Sequence, residues 1–363
     1  MLFRLLILVA AFAAGTARAE TVRRVPLTLD LAGFASKAEL TLPPAGETVQ
    51  GGVLLLHGAT PADMDFTVRS FGGEVKSHIL GDIAEHLTAN GFAVLRYNKR
   101  HVSGPMQVDM AAYRALDLSD LLDDAGTALD ALAARREVSG KPLFIYGWSE
   151  GSLLAGALAA SRDGIAGLIL QGAVADPAAK LFRDQVANVT ADFVERLTGT
   201  DELDVAGARR VFTSGAGMLV KMYAGMALDP AAGFANPRIN TRLDSNGDGA
   251  ISLRDELAPL MAMRGAAYLP EREGFPVRPL LEQVDVLQAL PVLILHGAND
   301  ANVPVDNGRR LAEALGDNAS YIEYPQLGHS LGRADTIAQD DFLPIERQPL
   351  EDMTAWLLAV AAP

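Results

Sequence analysis

Short apolar runs, each closing on glycine or a polar turn, alternate along this chain with longer segments whose apolar positions recur every three to four residues. The runs are VLLLHG (Val53 to Gly58), FAVLRYN (Phe92 to Asn98), PLFIYG (Pro142 to Gly147), AGLILQG (Ala166 to Gly172), PVLILHG (Pro291 to Gly297) and SYIEYP (Ser320 to Pro325). Each has the length and continuity of a strand buried on both faces. Between them, His78 to Asn90 places Ile79, Ile83 and Leu87 on one face and stops at Asn90-Gly91, a helix with a glycine end. Leu116 to Arg136 repeats the behaviour, and Ser152 to Ser161 follows a strand directly. Val25 to Leu42 reads as two antiparallel edge strands about a turn at Gly33. The class is α/β: a mostly parallel sheet flanked by helices.

From Asp176 to Gln283 the rhythm lapses into Ala-, Gly- and Met-rich sequence with helical segments, Phe182 to Thr198 and Ala208 to Met226, and no buried-type strand. This stretch reads as a helical cap inserted over the carboxyl edge of the sheet. The organisation expected is core 20–175, cap 176–283 and core 284–363.

The first nineteen residues combine Arg4, an apolar run from Leu5 to Ala14 and small residues at Ala17 and Ala19, the pattern of a secretory signal peptide. The mature chain is expected to begin near Glu20 and to be secreted or periplasmic, with no membrane span. Cleavage would remove Arg4 and Arg18, taking the side-chain charge from −14 to −16. Such acidity repels phosphate backbones, which makes nucleic acid a poor partner. With no cysteine, stability cannot come from disulfides and thiol catalysis is excluded.

Gly147-Trp148-Ser149-Glu150-Gly151 is a G-x-S-x-G motif with an apolar strand leading in and a small-residue helix leading out. A strained strand-to-helix turn would lift the Ser149 hydroxyl above the sheet edge, and glycines on both flanks remove side chains that would collide there. The base at neutral pH must be histidine, and the chain has six. His57 and His296 sit in strand-ending turns, His78 and His86 on or at the start of a helix, and His101 precedes the serine. Only His329 lies in a loop after the last strand, as the order Ser, acid, His requires. Asp300, in HGANDANVP, is the only acid between Asp285 and Asp306 and is the expected orienting carboxylate; Asp176, after the earlier strand, is the fallback. The amide of Glu150 and that of Ala59, with Thr60 second, are the expected oxyanion donors.

With these motifs in place, the chain from about Val25 onward resembles the α/β-hydrolase superfamily, the insertion serving as its variable cap. LLLHGATPADMDF followed by GFAVLRYNKR resembles a bacterial esterase branch with an HGSG-type loop, a D-R-D-like stretch and a Y-D-K-R strand end, departing from it at Thr60, Met64 and Asn98. The resemblance implies a carboxylesterase acting on a small-molecule ester through an acyl-enzyme on Ser149, with no cofactor for catalysis. Thioester hydrolysis and acyl transfer on the same fold are alternatives. Lys99 and Arg100 read as structural ion-pair partners.

Asp244 to Asp255 follows the twelve-position calcium loop D-x-N-x-D-G-x-I-x-x-x-D. Its expected ligands are Asp244, Asn246, Asp248, the Ala250 carbonyl, Ser252 through water, and Asp255. Ending in Asp, it resembles dockerin-type loops. A structural calcium ion ordering the cap is the expectation, and a non-catalytic calcium-dependent binding protein on a hydrolase scaffold is the competing reading. Oligomeric state is not legible.

Overall fold

The computed structural model describes residues 22–70, 72–233 and 235–362. The signal peptide expected at 1–19 lies outside them. Eight strands form one sheet: β1 (Arg23–Leu31), β2 (Phe34–Leu42), β3 (Gly51–Leu56), β4 (Phe92–Tyr97), β5 (Leu143–Trp148), β6 (Ile165–Gln171), β7 (Val292–Gly297) and β8 (Ala319–Tyr324). Their spatial order is β1-β2-β4-β3-β5-β6-β7-β8. The β1–β2 and β2–β4 pairs are antiparallel and every other neighbour is parallel. This is the α/β-hydrolase fold.

The continuous apolar runs find their explanation in two-sided burial. Along β3, Leu54 and Leu56 enter one core and Val53 and Leu55 the other. Helices α1 (Ile79–Ala89) and α5 (Arg347–Ala361) cover the second face with Ile83, Leu87, Met353 and Leu357. Helices α2 (Leu118–Ala133), α3 (Glu150–Ser161) and α4 (Asp306–Leu315) cover the first with Leu129, Leu154 and Leu311. Each fully buried Leu or Val contributes about 1.5–3 kcal/mol. Asp117 and Asp120 close a capping box at the start of α2, worth about 1 kcal/mol.

Two expectations about strands need correction. β2 is an interior strand, because it pairs with β4 as well as β1. SYIEYP is the far edge strand and only half buried; its Glu323 is paired outward to Arg309 at 2.7 Å.

Between β6 and β7 the chain builds helices on a third apolar cluster that includes Val194, Val211, Tyr223 and Leu257. The first segment runs from Ala178 to Thr198 through a π-helical turn at Gln185–Thr190. The expected single helix from Ala208 to Met226 is instead two, Val205–Thr213 and Met218–Met226. The break falls at Ser214-Gly215-Ala216-Gly217, where the Gly217 N–H leaves the helix to donate to the Ala338 carbonyl at 2.7 Å. A further helix, Ala258–Tyr268, lies against the Ala178–Asp184 segment. Glu202–Leu203 pairs with Ile251–Ser252, a two-residue antiparallel ladder absent from the sequence reading. Among the described residues no helix is long and apolar enough to cross a membrane.

Candidate active site

Ser149 stands between β5 and α3 with φ 55° and ψ −117°, a left-handed conformation that costs a non-glycine residue about 1–3 kcal/mol. The strain persists because its neighbours leave no alternative. A Cβ on Gly147 would lie 2.3 Å from the Gly151 carbonyl oxygen, and one on Gly151 would lie 2.6 Å from that of Leu56. The Ser149 N–H donates to the Gln171 carbonyl at 2.9 Å, fastening the turn to the end of β6.

His329 Nδ1 lies 2.7 Å from Asp300 Oδ2, both side chains being buried. The other carboxylate oxygen of Asp300 accepts the N–H groups of Asn302 and Val303, each at 2.8 Å. Burial alone would raise the Asp300 carboxyl; His329 and His296 outweigh it and hold the group well below the usual carboxylate range. With Nδ1 committed to Asp300, Nε2 is the ring nitrogen free to exchange a proton. The imidazole is wedged between Trp148 and Phe342, ring centroids 5.2 and 5.7 Å away. Its backbone carbonyl accepts from Trp148 Nε1 at 2.9 Å and from Gln171 Nε2 at 3.0 Å.

Ser149, His329, Ala59 and Glu150 line one cavity of about 370 Å³. Its walls are apolar, with Phe66, Leu181 and Met261 among them, and are drawn from both the sheet end and the helices above it. Glu150 is its sole lining carboxylate among the described residues, and that group is already paired with Lys99 at 2.5 Å. The fallback acid Asp176 is elsewhere employed, 2.6 Å from Arg310 and 2.9 Å from Lys180. His57 is buried, and burial together with the Lys99 charge pushes its imidazole down to about 3, so it stays neutral. Arg100 pairs with Asp124 at 2.5 Å, the structural use expected of it.

The sequence reading missed two residues. Gln171 links Ser149 to His329, and its Oε1 accepts the Tyr146 hydroxyl at 2.7 Å. Asp340, also buried, accepts the N–H groups of His329 at 2.8 Å and Ala301 at 3.1 Å through Oδ2. Its backbone carbonyl accepts from Met218 at 3.0 Å, tying the helices over the cavity to the same point. A Cβ on Gly217 would lie 2.0 Å from that carbonyl oxygen, and one on Gly328 would lie 2.2 Å from Asp340 Oδ1. No spacing rule marks Asp340 in the sequence; only the chain's return past His329 brings it in.

The structure does not show the calcium site expected at Asp244 to Asp255. Among the described residues no group of three or more acidic, histidine or cysteine side chains is placed to hold a metal ion. The loop oxygens turn onto the loop's own amides instead: Asp244 accepts from Gly247 at 2.7 Å and Gly249 at 3.0 Å, Asn246 from Asp248 at 2.9 Å, and Asp248 from Ala250 at 2.9 Å. Ser252 Oγ accepts the Asp255 N–H at 3.1 Å. Glu256, with its longer side chain, reaches in where Asp255 does not, accepting from Ser245 at 2.6 Å and Ser252 at 2.9 Å. None of these residues borders the cavity.

The family described as serine aminopeptidase, S33, matches residues 71–212, a span that contains Ser149 but neither Asp300 nor His329. Esterase EstD of Thermotoga maritima is 30% identical over 144 residues, a match covering 39% of this chain and 32% of that protein. The chain thus spans about a third of that relative. Among solved structures, a hypothetical protein, PA2218, from Pseudomonas aeruginosa aligns with a TM-score of 0.51 at 14% identity, covering 98% of this chain and 99% of the other. An acylaminoacyl peptidase from Pyrococcus horikoshii aligns with a TM-score of 0.52 at 10% identity, covering 93% of this chain and 41% of the other. At these identities the structural likeness carries the fold alone.

Proposed function

We propose that the chain is a serine hydrolase that cleaves carboxylic esters with an uncharged, largely apolar acyl group. The observation that carries this reading is the 2.7 Å contact between His329 and Asp300 at the wall of a cavity that Ser149 also lines from a strained turn. In the proposed reaction, His329 Nε2 takes the Ser149 proton as the hydroxyl attacks the ester carbonyl. Asp300 holds the imidazole in the tautomer that leaves Nε2 free. The amides of Ala59 and Glu150 receive the developing oxyanion. His329 then returns the proton to the leaving alkoxide, and water, deprotonated by the same nitrogen, cleaves the acyl-enzyme. The partial match to an esterase supports the choice of ester over amide. So does the cavity: an aminopeptidase needs an anionic group to receive its substrate's ammonium, and Glu150, the carboxylate there, is already neutralised by Lys99.

A fluorophosphonate probe should label the chain stoichiometrically at Ser149, and a chromogenic ester panel should show turnover. An unlabelled, inert protein would end the reading. The N-terminal pattern supports a further proposal, export with cleavage near Glu20, which sequencing the mature N-terminus would test.

A further inference from the structure

We propose that the buried Lys99–Glu150 ion pair is a positioning device that aims both oxyanion-hole amides at the Ser149 hydroxyl; this deepens the ester-hydrolase reading and rests on it. Lys99 follows the end of β4 and is buried. Its Nζ donates to the Gly58 carbonyl at 2.6 Å and to Glu150 Oε1 at 2.5 Å. An ammonium has three protons to give, and two of them are committed to these two oxygens.

The contact with Gly58 reaches the site through peptide geometry. The Gly58–Ala59 bond is trans, since the described chain has no cis peptide. In a trans unit the carbonyl and the following N–H point in opposite directions. Lys99 holds the Gly58 oxygen from the protein interior and does not border the cavity, whereas Gly58, Ala59 and Ser149 all do. Gripping the oxygen from behind therefore turns the Ala59 N–H forward. The serine adjoins this peptide unit: a Cβ on Gly58 would lie 3.5 Å from that of Ser149. The loop has reason to need holding. Ala59 and Thr60 are exposed, and Thr60 sits at φ 115°, a region that a threonine rarely occupies.

The other end of the pair is the second donor's own side chain. Glu150 is the first residue of α3, and its N–H is one of the terminal helix donors with no partner inside the helix. Its Oε1 is fixed by Lys99 and its Oε2 accepts from the hydroxyl of Tyr268, the last residue of the Ala258–Tyr268 helix. One ion pair thus spans the two segments that must present their amides together. Burial would lower the Lys99 ammonium, but Glu150 and Tyr113 outweigh it and hold the group above its ordinary value, so Lys99 keeps its proton at neutral pH.

The test is the double variant Lys99→Met/Glu150→Gln, which removes both charges together and leaves no lone ion in the interior. Three readouts are taken against wild type: kcat and KM on p-nitrophenyl butyrate, the inhibition constant of an alkyl trifluoromethyl ketone whose serine adduct carries an oxyanion, and the stoichiometry of fluorophosphonate labelling. The expected result is a fall in kcat of about 10²–10³, the size of losing one oxyanion donor. The inhibition constant should weaken by a matching factor, KM should stay within threefold, and labelling should reach completion more slowly. If the double variant fails to fold, Glu150→Gln serves, with a parallel but smaller decline in kcat and inhibitor affinity, about tenfold. A folded variant with kcat and inhibitor affinity within threefold of wild type overturns the proposal, as does a loss of kcat that inhibitor affinity does not follow. Failure of the wild-type protein to take the fluorophosphonate label would instead remove the hydrolase reading on which the proposal stands.

Discussion

Asp340 Oδ2 accepts the backbone N–H of His329 at 2.8 Å, so one buried carboxylate holds the main chain of the residue whose ring is held by another. The two carboxylates compete for charge. Asp300 keeps its charge, while burial first and the Asp300 charge second push the Asp340 carboxyl up to about 6.

A pH dependence follows from that shift. An unfolded aspartate titrates near 4. The folded chain therefore binds the Asp340 proton more tightly than the unfolded chain, and this group's contribution declines as pH rises from about 4 to about 6 and stays reduced above. Asp340→Asn keeps a side-chain oxygen for the two amides and loses the charge. Its stability relative to wild type should climb across that window and then level off, as read by urea midpoints from pH 4 to pH 8. Parallel curves would show that Asp340 titrates as an ordinary carboxyl.

Ser149→Ala should cut kcat by about 10⁴–10⁶ in a folded protein. Ser149→Gly should do the same and also melt higher than Ser149→Ala, because glycine accepts φ 55° without the roughly 1–3 kcal/mol of strain. Greater chain entropy in the unfolded state takes back about 0.5–1 kcal/mol. Equal melting temperatures would mean that the turn stores no strain.

Asp300→Asn should leave KM nearly unchanged and lower kcat by roughly 10⁴. The substituted oxygen would stay with the amides of Asn302 and Val303, turning the NH₂ toward Nδ1 and forcing the wrong tautomer on His329. Asp176→Asn should leave kcat within threefold, since its partners are Arg310 and Lys180. The reverse ranking in steady-state kinetics would reassign the acid.

Much of this was legible in the sequence because strand burial and turn chemistry are local signals. The VLLLHG, PLFIYG and PVLILHG runs announce interior strands, and the candidate residues at their ends, Ser149 and Asp300, follow within a few positions. His329 was reachable by elimination among six histidines. Gln171 and Asp340 were not, because their roles depend on which segments meet, and neither belongs to a motif that marks a polar role. The calcium motif is a different case. Alternating oxygens at the right spacing also suit a turn in which each carboxylate caps the loop's own N–H groups, and Glu256 supplies the reach that Asp255 lacks.

Leu181, buried on the cavity wall, should set acyl length. Leu181→Trp is expected to lower kcat/KM for p-nitrophenyl octanoate at least tenfold, equivalent to about 1.4 kcal/mol, while leaving the acetate within threefold. Equal losses on both esters would place the acyl chain against another wall.

Chelator at millimolar concentration should leave ester turnover within twofold, because no residue from Asp244 to Asp255 borders the cavity. Loss of turnover restored by added calcium would show that the loop acts on the site from a distance.

Gly217 and Gly328 approach Asp340 so closely that no side chain fits at either position. In a saturation-mutagenesis screen for activity, both should behave like Ser149, tolerating nothing, although neither performs chemistry. A map of intolerant positions drawn without coordinates would therefore extend the reaction centre across a seam that is only a fit between surfaces. Anyone transplanting a different helical insertion onto this sheet must reproduce that fit before altering specificity.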